Sequence, residues 1–263
     1  MTLAFREAGS PEAPVALMLH GYPNSSYLFR NVMPAAAEAG WRAVAPDMPG
    51  FGDTPLDGRS GTWEEHVEVL GEFVDSQQLA PVALVVHDWG GLIGLRWAAE
   101  NPESVRALVL MGTGFFPDGK WRGLARAMRT PGELDGLFES MTRDAFGDLM
   151  SQVEPHATDE AVEEYWKGFA TADRRRAHLT LYRSGDFEKL APHEGALGRL
   201  GVPTLVLWGA QDSYAPVSGA HRFVKEIPDA RLVVLEAAGH FLMEDDSERV
   251  ATEIGNFLAD VGP

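Results

Sequence analysis

The stretch Val85-Val86-His87-Asp88-Trp89-Gly90-Gly91 constrains this chain more than any other. An apolar run from Pro81 to Val86 stops abruptly at polar residues, and a glycine pair opens a helical pattern from Leu92 to Glu100. That order predicts a buried strand, a sharp turn and a helix, with Asp88 at the turn.

The rest of the chain repeats the alternation. Leu3 to Glu7 reads as an edge strand, and the apolar run Val15 to Leu19 as a strand buried on both faces. Ser25 or Ser26 is a helix cap for a segment running to about Ala39, Trp41 to Ala45 is the next strand, and the Pro46 to Gly52 loop ends it. Thr62-Trp63-Glu64-Glu65 has the form of a capping box for a helix to about Gln78. Val105 to Met111 is a further strand. Such alternation predicts an α/β fold with right-handed crossovers and a mostly parallel sheet flanked by helices. At Gly112 it stops. No convincing strand follows until Pro203 to Leu207, and the intervening segment carries helix-spaced positions such as Phe138, Met141, Phe146, Met150, Trp166 and Phe169. A helix from Ser218, a strand from Ala230 to Leu235 and a helix from Ser247 close the pattern. The expected organisation is a core of residues 1–113 and 201–263 with a helical cap, 114–200, inserted after the sixth strand.

Composition excludes several classes of function. With 263 residues and 45% hydrophobic content the chain can bury a sizeable core, as one large domain or two small ones. A formal net charge of −17 argues against nucleic-acid binding, which needs a basic surface to displace phosphate counterions, and it disfavours anionic substrates. There is no long apolar span and no leader-like segment, so no membrane partner is expected and a cytoplasmic protein is the default. The absence of cysteine excludes disulfides and thiolate metal sites without identifying the compartment.

Ligands of open parallel sheets bind beyond the carboxyl ends of the strands. The residues there are His20 to Asn24, Asp88 with Trp89, Asp212 within Trp208 to Asp212, and His240 within Ala238 to Phe241. In chain order they supply nucleophile, acid and base, and Val86 to Gly90 stands where a nucleophile elbow reads G-x-Ser-x-G, with aspartate for serine and valine for the first glycine. Over nearly its whole length the sequence resembles α/β-hydrolases of the branch holding haloalkane dehalogenases and epoxide hydrolases. His20-Gly21-Tyr22-Pro23, the Asp47 to Gly52 loop, His87-Asp88-Trp89-Gly90, Asp212 and Gly239-His240 carry that resemblance.

The chemistry expected of these residues can also be derived. A carboxylate is nucleophilic at neutral pH without a base, so Asp88 can attack a saturated carbon and form an alkyl ester. His240, oriented by Asp212, then activates the water that hydrolyses the ester. The backbone N–H groups of Tyr22 and Trp89 would hold the oxyanion, each worth about 2.7–4 kcal/mol. His20 and His87 read as structural, Asp245 and Asp246 as solvated, and His66, His156, His178, His193 and His221 as surface or cap residues without ligand spacing. No cofactor or metal is called for.

The leaving group separates two reactions. A dehalogenase needs N–H donors for a departing halide, and Trp89 can supply one, with Trp121 or Trp166 from the cap as a second. Pro23 to Pro34 resembles the dehalogenases, although many of them have asparagine where this chain has Tyr22. An epoxide hydrolase needs an acidic O–H, and Leu181-Tyr182-Arg183 resembles its cap tyrosine motif, with Tyr165 a poor match for a partner. Two indole donors facing Asp88 would fit a halide, and tyrosine hydroxyls an epoxide. The expected function is therefore a haloalkane dehalogenase-like hydrolase acting on a small apolar substrate, with epoxide hydrolase as the alternative. A non-catalytic ligand-binding protein on the same fold is the reading of another class. Oligomeric state is not legible.

Overall fold

Strand residues alternate between two buried faces, and that alternation sets the layers. In a computed structural model describing residues 2–263, Leu17, Leu19, Leu84 and Val86 pack into one apolar cluster, whereas Ala16, Met18, Ala83 and Val85 pack into a second. Each fully buried Leu or Val contributes about 1.5–3 kcal/mol, so both faces must be covered. Helices α2 (Trp63–Ser76), α3 (Trp89–Glu100) and α10 (Ser218–Glu226) contribute to the first cluster, α1 (Val32–Glu38) and α12 (Ser247–Val261) to the second.

The sheet has seven strands, β1 (Phe5–Ala8), β2 (Val15–Leu19), β3 (Arg42–Pro46), β4 (Val82–His87), β5 (Val105–Met111), β6 (Thr204–Gly209) and β7 (Arg231–Leu235), in the order β1-β3-β2-β4-β5-β6-β7. Among the described residues only β1 pairs antiparallel, with β3. The order reverses direction between β2 and β4, which are hydrogen-bonded neighbours with Leu19 opposite Val86. Their carboxyl ends therefore finish level, and the loops that follow diverge to leave a crevice at the switch point.

Local chemistry fixes the ends of the elements. The Thr62 capping box forms in both directions, with Glu65 N donating to Thr62 Oγ1 at 3.3 Å and Thr62 N to Glu65 Oε2 at 3.1 Å. The continuous helix expected from Ser25 to Ala39 is instead a 3-10 turn, Ser26–Phe29, followed by α1. Pro34 explains the break: it lacks an N–H and would crowd the carbonyl four residues back, so the helix restarts with the proline in its first turn.

Between β5 and β6 the described residues form helices only: α4 (Gly123–Arg129), α5 (Asp135–Ser140), α6 (Arg143–Val153), α7 (Asp159–Trp166), α8 (Ala172–Ser184) and α9 (Ala196–Leu200), with two short 3-10 turns. This segment leaves the sheet after its fifth strand, not the sixth, because only five stretches ahead of it pair into the sheet. α8 packs on α2, α4 and α5 and ties the segment to the core. α11 (Leu242–Asp245) precedes α12. Among the described residues no helix is long and apolar enough to cross a membrane.

Candidate active site

Asp88 sits between β4 and α3 with φ 47° and ψ −120°, a conformation that non-glycine residues rarely adopt. Close packing enforces it. A Cβ on Gly90 would lie 2.2 Å from the Leu19 carbonyl oxygen, one on Gly91 2.1 Å from Thr113 Oγ1, and one on Gly21 2.4 Å from Asp88 Cβ. Glycine is the only residue that allows strand, loop and helix to approach this closely. The Asp88 carbonyl accepts from Gly91 N at 2.9 Å, Leu92 N at 3.3 Å and Thr113 Oγ1 at 2.7 Å.

The side chains expected to act together do meet. Tyr22 N donates to Asp88 Oδ1 at 2.8 Å. His240 Nδ1 is 2.8 Å from Asp212 Oδ2, and His240 Nε2 is 3.6 Å from Asp88 Oδ2. Asp212 Oδ1 is held by Tyr214 N and Ala215 N, at 2.8 and 2.7 Å. His87 Nε2 bonds the His240 carbonyl at 2.9 Å and so fixes the loop that carries the imidazole.

Electrostatics separate the titrating groups. Burial lowers the affinity of His240 for a proton, but the hydrogen bond to Asp212 and the charges of Asp212 and Asp88 outweigh it and raise its pKa to about 10. Burial raises Asp88, yet His240 and the Tyr22 N–H bring it net below its ordinary value, so it is a carboxylate. Burial, followed by the Asp88 charge, pushes Tyr22 and Tyr182 upward, so both phenols keep their protons. His87 is lowered to about 4 by burial and the His240 charge and is neutral.

A cavity of about 740 Å³ opens over Asp88, with Tyr22, Tyr182, His240, Trp121 and Phe146 in its lining. Trp89 is buried behind Tyr182 and Trp121 and does not itself line the cavity, and its Nε1–H has no hydrogen-bond partner among the described residues. Its ring meets Tyr182 edge-on at 5.1 Å, and its N–H acts on the Tyr182 oxygen without reaching hydrogen-bond geometry. Tyr22 meets Tyr182 edge-on, also at 5.1 Å. The two other tryptophans expected as donors are not free to donate there. Trp121 lines the cavity and stacks on Trp89 at 5.3 Å, but its Nε1–H is taken by the Gly185 carbonyl at 3.1 Å. Trp166 does not line the cavity; it packs on Phe146 and Phe169. Tyr165 donates to Glu244 Oε1 at 2.8 Å, also outside the cavity lining.

Other expectations need revision. Asp245 is not simply solvated: it accepts from Gly239 N at 2.7 Å and meets His156 Nδ1 at 2.7 Å. His66, expected at the surface or in the cap, is buried in α2 and bonded to the Thr62 carbonyl, whereas His178 lies in the helical segment, bonded to the Gly168 carbonyl. Thr113, just beyond β5, is a further residue of the site; its place at a strand end is the signal the sequence carries for it. Among the described residues no group of three or more His, Asp or Glu is arranged to hold a metal ion.

Sequence comparison agrees with this architecture. Residues 14–247 match the alpha/beta hydrolase fold family, and the chain belongs to it. Within the family it is 32% identical over 253 residues to haloalkane dehalogenase 2 of Mycobacterium tuberculosis, covering 92% of this chain and 86% of that protein. The crystal structure of haloalkane dehalogenase DbeA from Bradyrhizobium elkani superposes with a TM-score of 0.85 at 27% identity, covering 98% of this chain and 94% of that one. Epoxide hydrolase VrEH1 from Vigna radiata gives 0.80 at 25% identity, with coverage of 98% and 94%.

Proposed function

We propose that this protein is a haloalkane dehalogenase-like hydrolase that opens a carbon–halogen bond at saturated carbon through an ester on Asp88. The observation that carries the reading is the Trp89 indole N–H, buried without a partner beside the nucleophile. A buried orphan donor costs about 1–3 kcal/mol, and a departing halide repays it. The two haloalkane dehalogenases among the relatives named above support the same reaction.

In the first step Asp88 Oδ2 attacks carbon, the carbon–halogen bond breaks, and the halide leaves with the electron pair toward the Trp89 N–H. Asp88 Oδ1 already accepts from Tyr22 N, so the ester carbonyl forms inside its oxyanion site. Water then attacks Asp88 Cγ and gives a proton to His240 Nε2. As the tetrahedral intermediate collapses, the departing alkoxide takes up that proton and leaves as alcohol, and the carboxyl formed on Asp88 releases the second water proton to solvent, so that alcohol, halide and one proton are the products. His240 must be neutral for this step. Esterification removes the Asp88 charge, one of the interactions that keep the imidazole protonated, and so prepares the base.

Residues 114–200 act as the cap, and the apolar wall they contribute, including Phe146, Met150 and Phe187, suits a small apolar substrate. A second reading is favoured by one observation: with the Trp121 N–H engaged, the lining offers tyrosine hydroxyls, that of Tyr182 against Trp89 and that of Tyr22 next to it. Tyr182 packs on Trp89 and is the candidate acid. An epoxide opened by Asp88 would take its proton from that phenol, whose proton affinity drops once the Asp88 charge is gone.

The test is a substrate panel with His240→Gln. Bromide release from bromoalkanes by the parent, and a stoichiometric covalent adduct on Asp88 in the variant by mass spectrometry, are expected. Diol from styrene oxide without bromide release would move the assignment to epoxide hydrolysis. No adduct with either substrate class would remove the ester mechanism.

A further inference from the structure

Behind the cavity wall lies a buried carboxyl that the reaction does not use. Glu154 ends α6 next to Val153, a cavity residue, and is only 2% exposed. It meets Asn24, which is fully buried and follows Tyr22-Pro23 on the oxyanion loop; Asn24 Nδ2 donates to Glu154 Oε2 at 3.4 Å. The remaining polar atom of each side chain, Glu154 Oε1 and Asn24 Oδ1, has no hydrogen-bond partner among the described residues.

Donor counting gives the reason. A carboxamide turned toward a carboxylate offers one N–H and one oxygen to two acceptors, so one oxygen–oxygen pair is left without a hydrogen between. Flipping the amide does not change the count. A proton on Glu154 supplies the missing donor and satisfies both orphans at once, which a buried pair needs.

The surroundings favour the neutral form, with the His240 imidazolium as the one cation acting the other way. Glu244 and Asp245, on α11, face Glu154 with negative charge. Arg30, the cation nearby, is engaged by both oxygens of Glu244 at 2.7 and 2.6 Å, Tyr165 donates to Glu244, and His156 pairs with Asp245. Of the charged groups acting on Glu154, only His240 favours its anion; Tyr165 and Tyr214 are neutral phenols that feel its charge. Burial is the largest influence and disfavours the anion.

We infer that Glu154 carries a proton at neutral pH and closes a two-way hydrogen-bonded pair with the Asn24 carboxamide, positioning the loop that aims the Tyr22 N–H at Asp88. The pair joins the helical segment to the loop after β2. Glu154 is a positioning residue, since it touches Asn24 and no reacting atom. Only the kinetic part of its test rests on the reaction proposed above.

Infrared difference spectra of the parent minus Glu154→Gln at pH 7 should contain the carbonyl band of an un-ionised carboxylic acid. A carboxylate band in its place overturns the inference. Stability gives a second reading: an acid held protonated by folding loses stabilisation as pH rises above its unfolded value, so E154Q should gain in Tm over the parent from pH 5 to pH 8. A constant or shrinking difference overturns it. In kinetics, E154Q should keep kcat/KM for a bromoalkane, because glutamine restores the donor and acceptor, whereas E154L should lose about tenfold. If the parent turns over no bromoalkane or epoxide, the proposed reaction fails while the infrared and stability results still decide the state of Glu154.

Discussion

His240 Nε2 lies 3.6 Å from Asp88 Oδ2, too far for a good hydrogen bond and near enough for charge to act. Neutralising Asp88 should therefore reveal how much of the His240 basicity it supplies. In Asp88→Asn the imidazole pKa, followed by NMR, is expected to fall from about 10 while staying above 6.5 because Asp212 remains. A pKa raised on folding stabilises fully below the unfolded value of 6.5, and that contribution is lost as pH rises through about 10. The parent should thus lose stability across that window more steeply than D88N, and parallel curves would contradict the assignment.

The tryptophan pair separates donation from packing. Trp89→Phe removes the unpartnered N–H and should cut bromide release by roughly 10²-fold or more, mainly in kcat. Trp121→Phe breaks only the bond to Gly185 and should stay within about threefold. Equal losses in both would mean that stacking, not the indole N–H, matters.

Tyr182 divides the two leaving groups. Tyr182→Phe keeps the ring against Trp89 and Tyr22 and deletes only the hydroxyl. Diol formation from an epoxide should fall by about 10²-fold, the range of a lost general acid, with bromide release changing by less than about tenfold. A larger loss in bromide release would make Tyr182 a halide donor.

Thr113 supports the elbow with one bond among several. Because the Asp88 carbonyl also accepts from Gly91 N and Leu92 N, Thr113→Val leaves it satisfied and should cost only about 0.5–1.5 kcal/mol in urea unfolding. Thr113→Ser should restore it. A loss above about 3 kcal/mol would show that the methyl group's packing dominates.

Much of this arrangement was legible in the sequence because it depends on strand ends. Asp88, Asp212, His240 and the Tyr22 loop each follow an apolar run, and parallel strands in one sheet deliver such positions to one edge. The capping box at Thr62 was readable because it is local. What escaped depends on side chains meeting across long sequence separations. Nothing near Trp121 in sequence announces that the Gly185 carbonyl occupies its N–H, and nothing near Glu154 announces Asn24. The break at Asn31 was local and readable, since Pro34 sits in plain view, but the apolar pattern on both sides concealed it.

The turn at Asp88 is packed so closely that a Cβ on Gly21 would strike Asp88 itself, one on Gly90 the Leu19 carbonyl and one on Gly91 the Thr113 side chain. Under the proposed reaction, carboxylate and ester would occupy one address: the oxygen that attacks carbon belongs to the carboxyl whose carbon is attacked in turn by water. A catalyst built this way has no need to reposition between its two half-reactions. Its choice of substrate is left to the walls, so changing the residues around Trp89 and Tyr182 should redirect the enzyme while the elbow stays untouched.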